Sequence, residues 1–190
     1  MTIVEVLIAS SLLVVVGLGM AATTIMCQRL FRSVNFQQRS LRDAKASIEV
    51  LNQEIRLATT PLTVLNSSGI PAQRGNRVQF RREGETTVRE IRIESTDADF
   101  QTPWDNRLIY DPDISTGGDE DIVAVNVIPF DLVNGAFAYS GALTALQAQF
   151  RVGDPAITEA DNATLFREAN FRSGPGLQGV EVNISIAPRN

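Results

Sequence analysis

Apolar positions along the chain change period twice. The stretch Val6–Gln28 reads VLIASSLLVVVGLGMAATTIMCQ and holds no charged side chain. As a helix rising about 1.5 Å per residue, it is long enough for the roughly 30 Å hydrocarbon core of a bilayer. Leu41, Ala44, Ile48, Leu51, Ile55 and Ala58 then recur at helical steps, with Arg42, Lys45, Glu49 and Gln53 on other faces. Pro61 disfavours helical geometry at Thr60, so the helix is expected to stop at Thr59-Thr60-Pro61. If continuous, it would hold about 57 residues and run roughly 85 Å. Beyond residue 61 the period falls to two. Residues 78–82 and 87–93 flank Glu83-Gly84-Glu85 as a hairpin, and further strands are expected at 108–110, 122–128, 143–152 and 180–186. Arg and Glu alternate through the hairpin, which predicts an outer face that is solvated or meets a charged neighbour. Helix first and sheet after predicts an α+β protein. Its expected parts are an apolar helix over 1–28, an amphipathic continuation over 29–60 and a β-rich globular head over 61–190.

Composition narrows the chemistry. The 190 residues include 17 basic and 22 acidic groups, a net charge of −5 that argues against a nucleic-acid partner. Histidine is absent, which excludes a His-based triad and every His-containing zinc site. The single cysteine, Cys27, cannot close an internal disulfide and reads as a small buried hydrophobe at the membrane edge. An enzyme is not expected.

Glu5 breaks the apolar pattern, standing between MTIV and VLIAS. An ionisable group at that depth costs a few kcal/mol on insertion and marks function with a partner. A secretory signal peptide would carry basic residues there and a shorter apolar run. The α-amino group of residue 1 lies about 6 Å away along one helix, and another subunit's N-terminus can come closer. Two such charges attract strongly once buried. Glu5 therefore reads as a register device for stacking identical helices. Arg29, Arg32, Arg39, Arg42 and Lys45 follow the span and, taken alone, mark a cytoplasm-facing flank.

The segment MTIVEVLIA resembles the mature N-terminus of type IV pilins and type II secretion pseudopilins: an aromatic residue or Met, then Thr, two aliphatics, Glu and an apolar run. The resemblance covers residues 1–28, with Met at position 1 where Phe is commoner. It implies a ladle-shaped pilin fold, a long helix packed on an antiparallel sheet. It implies a short basic leader removed by a prepilin peptidase, Met1 as the processed and N-methylated residue, and Glu5 paired with the N-terminus of a neighbouring subunit. Glu in fifth place matches a mature chain. The implied partners are further copies in a helical filament, other pilins or pseudopilins, and the assembly machinery. The implied location is the inner membrane before assembly and an extracellular, cell-surface filament after it. Gly17 and Gly19 each weaken a helix interior by up to about 1 kcal/mol relative to Ala. They read either as small-residue packing sites or, as in several relatives, as the place where the helix melts on assembly. Leu51-Asn52-Gln53-Glu54-Ile55-Arg56, Phe137-Ala138-Tyr139 and the closing strand over 179–187 show a looser similarity to J-type and W-type minor pseudopilins. The first reading is thus a filament-forming pilin. A minor pseudopilin at a tip and a single-span, membrane-anchored binding module are the alternatives.

In the head, the loop from Asp111 to Asp121 carries Asp111, Asp113, Asp119 and Asp121 with two glycines. Calcium favours closely spaced carboxylates, but EF-hand spacing is missing, and such charge runs ordinarily face water. Calcium is the one candidate cofactor. Asn66-Ser67-Ser68 is the best surface glycosylation triplet, ahead of those at Asn162 and Asn183. Trp104, Tyr110 and Tyr139 read as core aromatics before they read as a ligand platform.

Overall fold

The computed structural model describes residues 2–95, 106–131, 134–139, 145–153 and 179–188. One helix, α1 (Ile3–Arg56), precedes ten strands: β1 (Ala58–Leu65), β2 (Arg74–Gly75), β3 (Arg77–Arg82), β4 (Arg89–Ser95), β5 (Asn106–Asp111), β6 (Asp121–Val125), β7 (Val127–Pro129), β8 (Phe137–Ala138), β9 (Leu146–Val152) and β10 (Val180–Ile186). The protein is α+β, an apolar N-terminal helix followed by antiparallel sheets. Its contacts divide it into two compact units, residues 1–36 and 37–190.

Within the second unit the strands form two sheets. The first has the order β1-β3-β4-β5-β6, and the second has β10-β9-β8-β2 with β7 also paired to β9. The expected hairpin forms as β3 and β4, joined through Gly84 at φ 78°, a left-handed conformation that glycine adopts without strain. Alternation puts Val78, Phe80, Ile91, Ile93 and Leu108 of the first sheet into one buried cluster. Leu146, Ala148, Phe150 and Val152 of β9 and Ala44, Leu51 and Ile55 of α1 complete it. Ala44, Ile48, Leu51 and Ile55 of the helical stripe thus pack under strands, whereas Leu41, expected on the same stripe, is exposed. Phe137 meets Phe150 edge-on, with ring centroids 6.5 Å apart.

Two boundaries differ from expectation. The helix ends at Arg56, and residues 58–60, expected in the helix, open β1. Ala58 and Thr59 pair with Arg82 and Arg81, and the register shifts before Thr63. Pro61 therefore sits in a bulge on an edge strand, where its missing N–H costs no ladder bond. The ladder to β3, which is distant in sequence, outweighs local helix preference. The expected single strand 122–128 is divided as well. Asn126 takes φ 55°, and the chain passes from β6 in the first sheet to β7 in the second. Its carbonyl accepts a hydrogen bond from the Gly153 N–H at 2.9 Å, which holds the corner.

Candidate functional site

Val6–Gln28 is helical throughout, long and apolar enough to cross a membrane, and none of it is buried within the chain. Ile3 is 81% exposed and Leu13 75%. A face of this kind needs an apolar environment from outside the subunit. The polar side chains in the span do not oppose that. Ser10 Oγ donates to the Leu7 carbonyl at 3.0 Å and Ser11 Oγ to Ile8 at 2.9 Å. Thr23 Oγ1 donates to Gly19 at 2.8 Å and Thr24 Oγ1 to Met20 at 2.9 Å. With those hydroxyls satisfied by the helix itself, the segment carries little desolvation penalty into lipid or into a bundle of helices.

The sequence-predicted residues fall as follows. Glu5 lies in the first turns of α1, and Met1 lies outside the described residues. The Val6 N–H bonds the Thr2 carbonyl at 3.3 Å, so the helix is formed on both sides of Glu5. Gly17 and Gly19 sit in unbroken helix, and a methyl group added at either would meet nothing within 4 Å. Two positions apart on a helix, they lie on different sides of it, and both are exposed. Cys27, expected to be buried, is exposed, and none of the described residues covers that part of the helix.

The acidic loop is held by its own bonds. Asp111 Oδ1 accepts from the Asp113 N–H at 3.0 Å, and its Oδ2 lies 3.4 Å from Arg92 Nη1. Asp113 Oδ1 accepts from the Ser115 hydroxyl at 2.6 Å and the Ser115 N–H at 2.9 Å, which hold its carboxyl below the usual range. Asp119 accepts from Thr116 Oγ1 at 3.1 Å. The candidate calcium ligands Asp111, Asp113, Asp119 and Asp121 do not converge. Among the described residues no three His, Cys, Asp or Glu side chains are placed to hold a metal ion. Asn66 is half-buried, and its Oδ1 accepts from Ser68 N at 3.0 Å and Ile70 N at 2.9 Å, the bonding of a turn residue. Tyr110 and Tyr139 pack against the core; Trp104 and Asn162 lie outside the described residues.

Two charge networks organise the head. On the helix side of the first sheet, Glu54 of α1 forms ion pairs with Arg82 of β3 and Arg89 of β4. Arg89 also donates to Glu85 and to the Tyr110 hydroxyl. Burial works to lower the Arg89 pKa, but the bonds to Glu85 and Tyr110 outweigh it and raise it. Burial pushes the Tyr110 phenol up, against the opposing hydrogen bond from Arg89. On the opposite face, Glu90 and Arg92 are nearly buried. Arg92 faces Glu120 at 2.6 Å and Glu90, Glu94 and Asp111 at 3.4 Å each. Burial again acts to lower its pKa, and Glu120 leads the carboxylates that raise it instead. The Arg/Glu alternation thus meets charged neighbours from its own chain. Glu54 carried one legible signal, an acid three residues past Leu51 on the apolar side of the stripe.

No family model, curated protein or solved structure matches this chain.

Proposed function

We propose that the chain is a structural subunit of a type IV pilus-like filament, held in the inner membrane before assembly and displayed outside the cell after it. The observation that carries this reading is an apolar helix, exposed along the whole of Val6–Gln28, preceded by a single acid at Glu5. In lipid the helix is solvated by acyl chains; in a filament the same surface meets copies of itself. Lipid tails are as apolar as neighbouring helices, so moving between the two settings changes hydrophobic free energy little. What differs is Glu5. A bilayer offers its carboxylate no cation, whereas stacked helices bring another subunit's N-terminal amine to it, with Met1 as the residue that presents that amine. Helix packing supplies the cohesion and the ion pair supplies the axial register. A scarcer role as a minor pseudopilin draws support from the 51–56 segment and its J- and W-type similarity.

Sedimentation and electron microscopy of the full chain test this. Wild type is expected to give long filaments composed mainly of this subunit, and Glu5→Ala is expected to reduce pelletable filament at least about tenfold, as loss of a buried ion pair demands. Equal behaviour of the two proteins as monodisperse species overturns the reading in favour of a plain membrane anchor. Recovery only in a scarce complex with other pilins favours the minor role.

A further inference from the structure

Asn134-Gly135 is the only place in the chain where glycine follows asparagine. Such a pair is chemically labile when the chain is open. The glycine backbone nitrogen, once deprotonated, can attack the asparagine side-chain carbonyl carbon, because glycine has no side chain to stand in the way. The N–Cγ bond forms, the Cγ–Nδ2 bond breaks, and Nδ2 departs as ammonia. The five-membered imide that results takes up water at either carbonyl carbon and opens to aspartate or isoaspartate. Water enters, ammonia leaves and nothing is oxidised.

The fold ties both reacting groups to one residue. Asp131 Oδ2 accepts from Asn134 Nδ2 at 2.6 Å, and Asp131 Oδ1 accepts from the Asn134 N–H at 3.0 Å. The Asp131 carbonyl accepts from the Gly135 N–H at 2.8 Å, and the two residues form an isolated antiparallel bridge. The attacking nitrogen thus has its hydrogen committed to a carbonyl, and the leaving group is anchored to a carboxylate. That carboxylate also disfavours the amide anion which the attack requires. Arg74 Nη1 lies 3.7 Å from Asp131 Oδ2, but its side chain is 55% exposed and offsets little of the charge. Asn134 itself is exposed, so water reaches the pair.

Reaction would alter this turn for good. A carboxylate in place of the Asn134 amide has no N–H to give Asp131, and the two acids would repel at that spacing. Isoaspartate also routes the main chain through the former side chain and so adds a carbon just before Gly135. The surroundings leave no room for the shift. Gly135, at φ 95°, packs backbone to backbone on Gly75, and the N–H of buried Ala136 bonds Asn76 Oδ1 at 3.1 Å. The next two residues form β8, which pairs with β2. We propose that Asn134 is a deamidation site, that Asp131 keeps it slow while the turn from Asp131 to Gly135 is closed, and that reaction after local opening prevents the turn from closing again on β2. The modification needs no assembly and stands apart from the filament reading.

Peptide mapping by mass spectrometry would follow the exchange of NH for O at Asn134 in the full chain, kept in detergent at mildly alkaline pH with and without urea. The unfolded chain is expected to react at least about tenfold faster than the folded one, and folded Asp131→Ala several-fold faster than folded wild type, as loss of the bonds on the reacting groups demands. Glu54→Ala weakens the fold elsewhere and leaves Asp131 in place, so its folded rate should match wild type. No reaction at Asn134 in urea overturns the site. Equal rates for folded and unfolded wild type, or acceleration by Glu54→Ala as great as by Asp131→Ala, overturn the role of Asp131. Asn134→Asp should lose more stability in urea unfolding than Asn134→Ala, and adding Asp131→Asn should recover it, because an N–H then faces a carboxylate again. An Asn134→Asp protein as stable as Asn134→Ala would show that the modified turn still closes, and the proposed consequence falls.

Discussion

At the scale of single residues, the head is specified by where buried charges find partners. Glu54 is an acid on the apolar side of a helix, and its side chain is only 7% exposed. It persists there because Arg82 and Arg89 reach it from two strands, so helix and sheet can approach in few arrangements that leave it paired. Removing one member of such a set strands the others in a poorly hydrated site. Glu54→Ala should therefore destabilise the protein by about 3 kcal/mol, the lower end for a broken buried pair because Arg82 retains some contact with water. Urea unfolding of the detergent-solubilised full chain checks this, and Glu49→Ala on the exposed face of the same helix should change little. Arg92 follows the same logic on the other side of the sheet.

At the scale of elements, the points where the chain changes direction are fixed by backbone approach. Gly75 in β2 runs so close to β1 that a Cβ would overlap the Leu65 carbonyl, and one at Gly135 would overlap Gly75 itself. The Asn76 side chain then accepts the Ala136 N–H at 3.1 Å, closing the place where the two sheets meet. Gly75→Ala should cost about 3 kcal/mol, as overpacking between rigid backbones does. Gly117→Ala, on a loop where an added methyl meets nothing within 4 Å, should be near neutral; thermal denaturation of both variants makes the comparison. The division of 122–128 into β6 and β7 belongs here too. Its apolar alternation is that of one strand, and only the left-handed turn at Asn126 and its bond to Gly153 send the halves to different sheets.

At the scale of the whole molecule, the apolar helix and the β-rich unit make opposite demands on solvent. The second unit carries the buried cluster, and Val6–Gln28 buries nothing within the chain. Removing residues 1–36 should convert a detergent-requiring protein into one that sediments as a monodisperse species without detergent and forms no filaments, as analytical ultracentrifugation would record. A truncated protein that still polymerised would place the cohesive surface in the head and remove the helix from the centre of the assembly reading.

Much of this architecture is readable from residues alone, and what is readable is local. A charge-free run of 23 residues, a stripe at three- and four-residue steps and a Glu-Gly-Glu turn each state their conformation within a few positions, because periodicity and turn chemistry act over short distances. Glu5 was likewise visible, since a carboxylate in an apolar run is costly wherever the chain goes afterwards. The early end of the helix, the corner at Asn126 and the partners of the charges were not visible. Glu54 meets Arg82 and Arg92 meets Glu120 across 28 positions in each case, through registers that exist only once the sheet is assembled. Tertiary structure alone decided which acids are consumed inside the head and which remain at its surface, because charges distant in sequence select one another only after folding has brought them within reach.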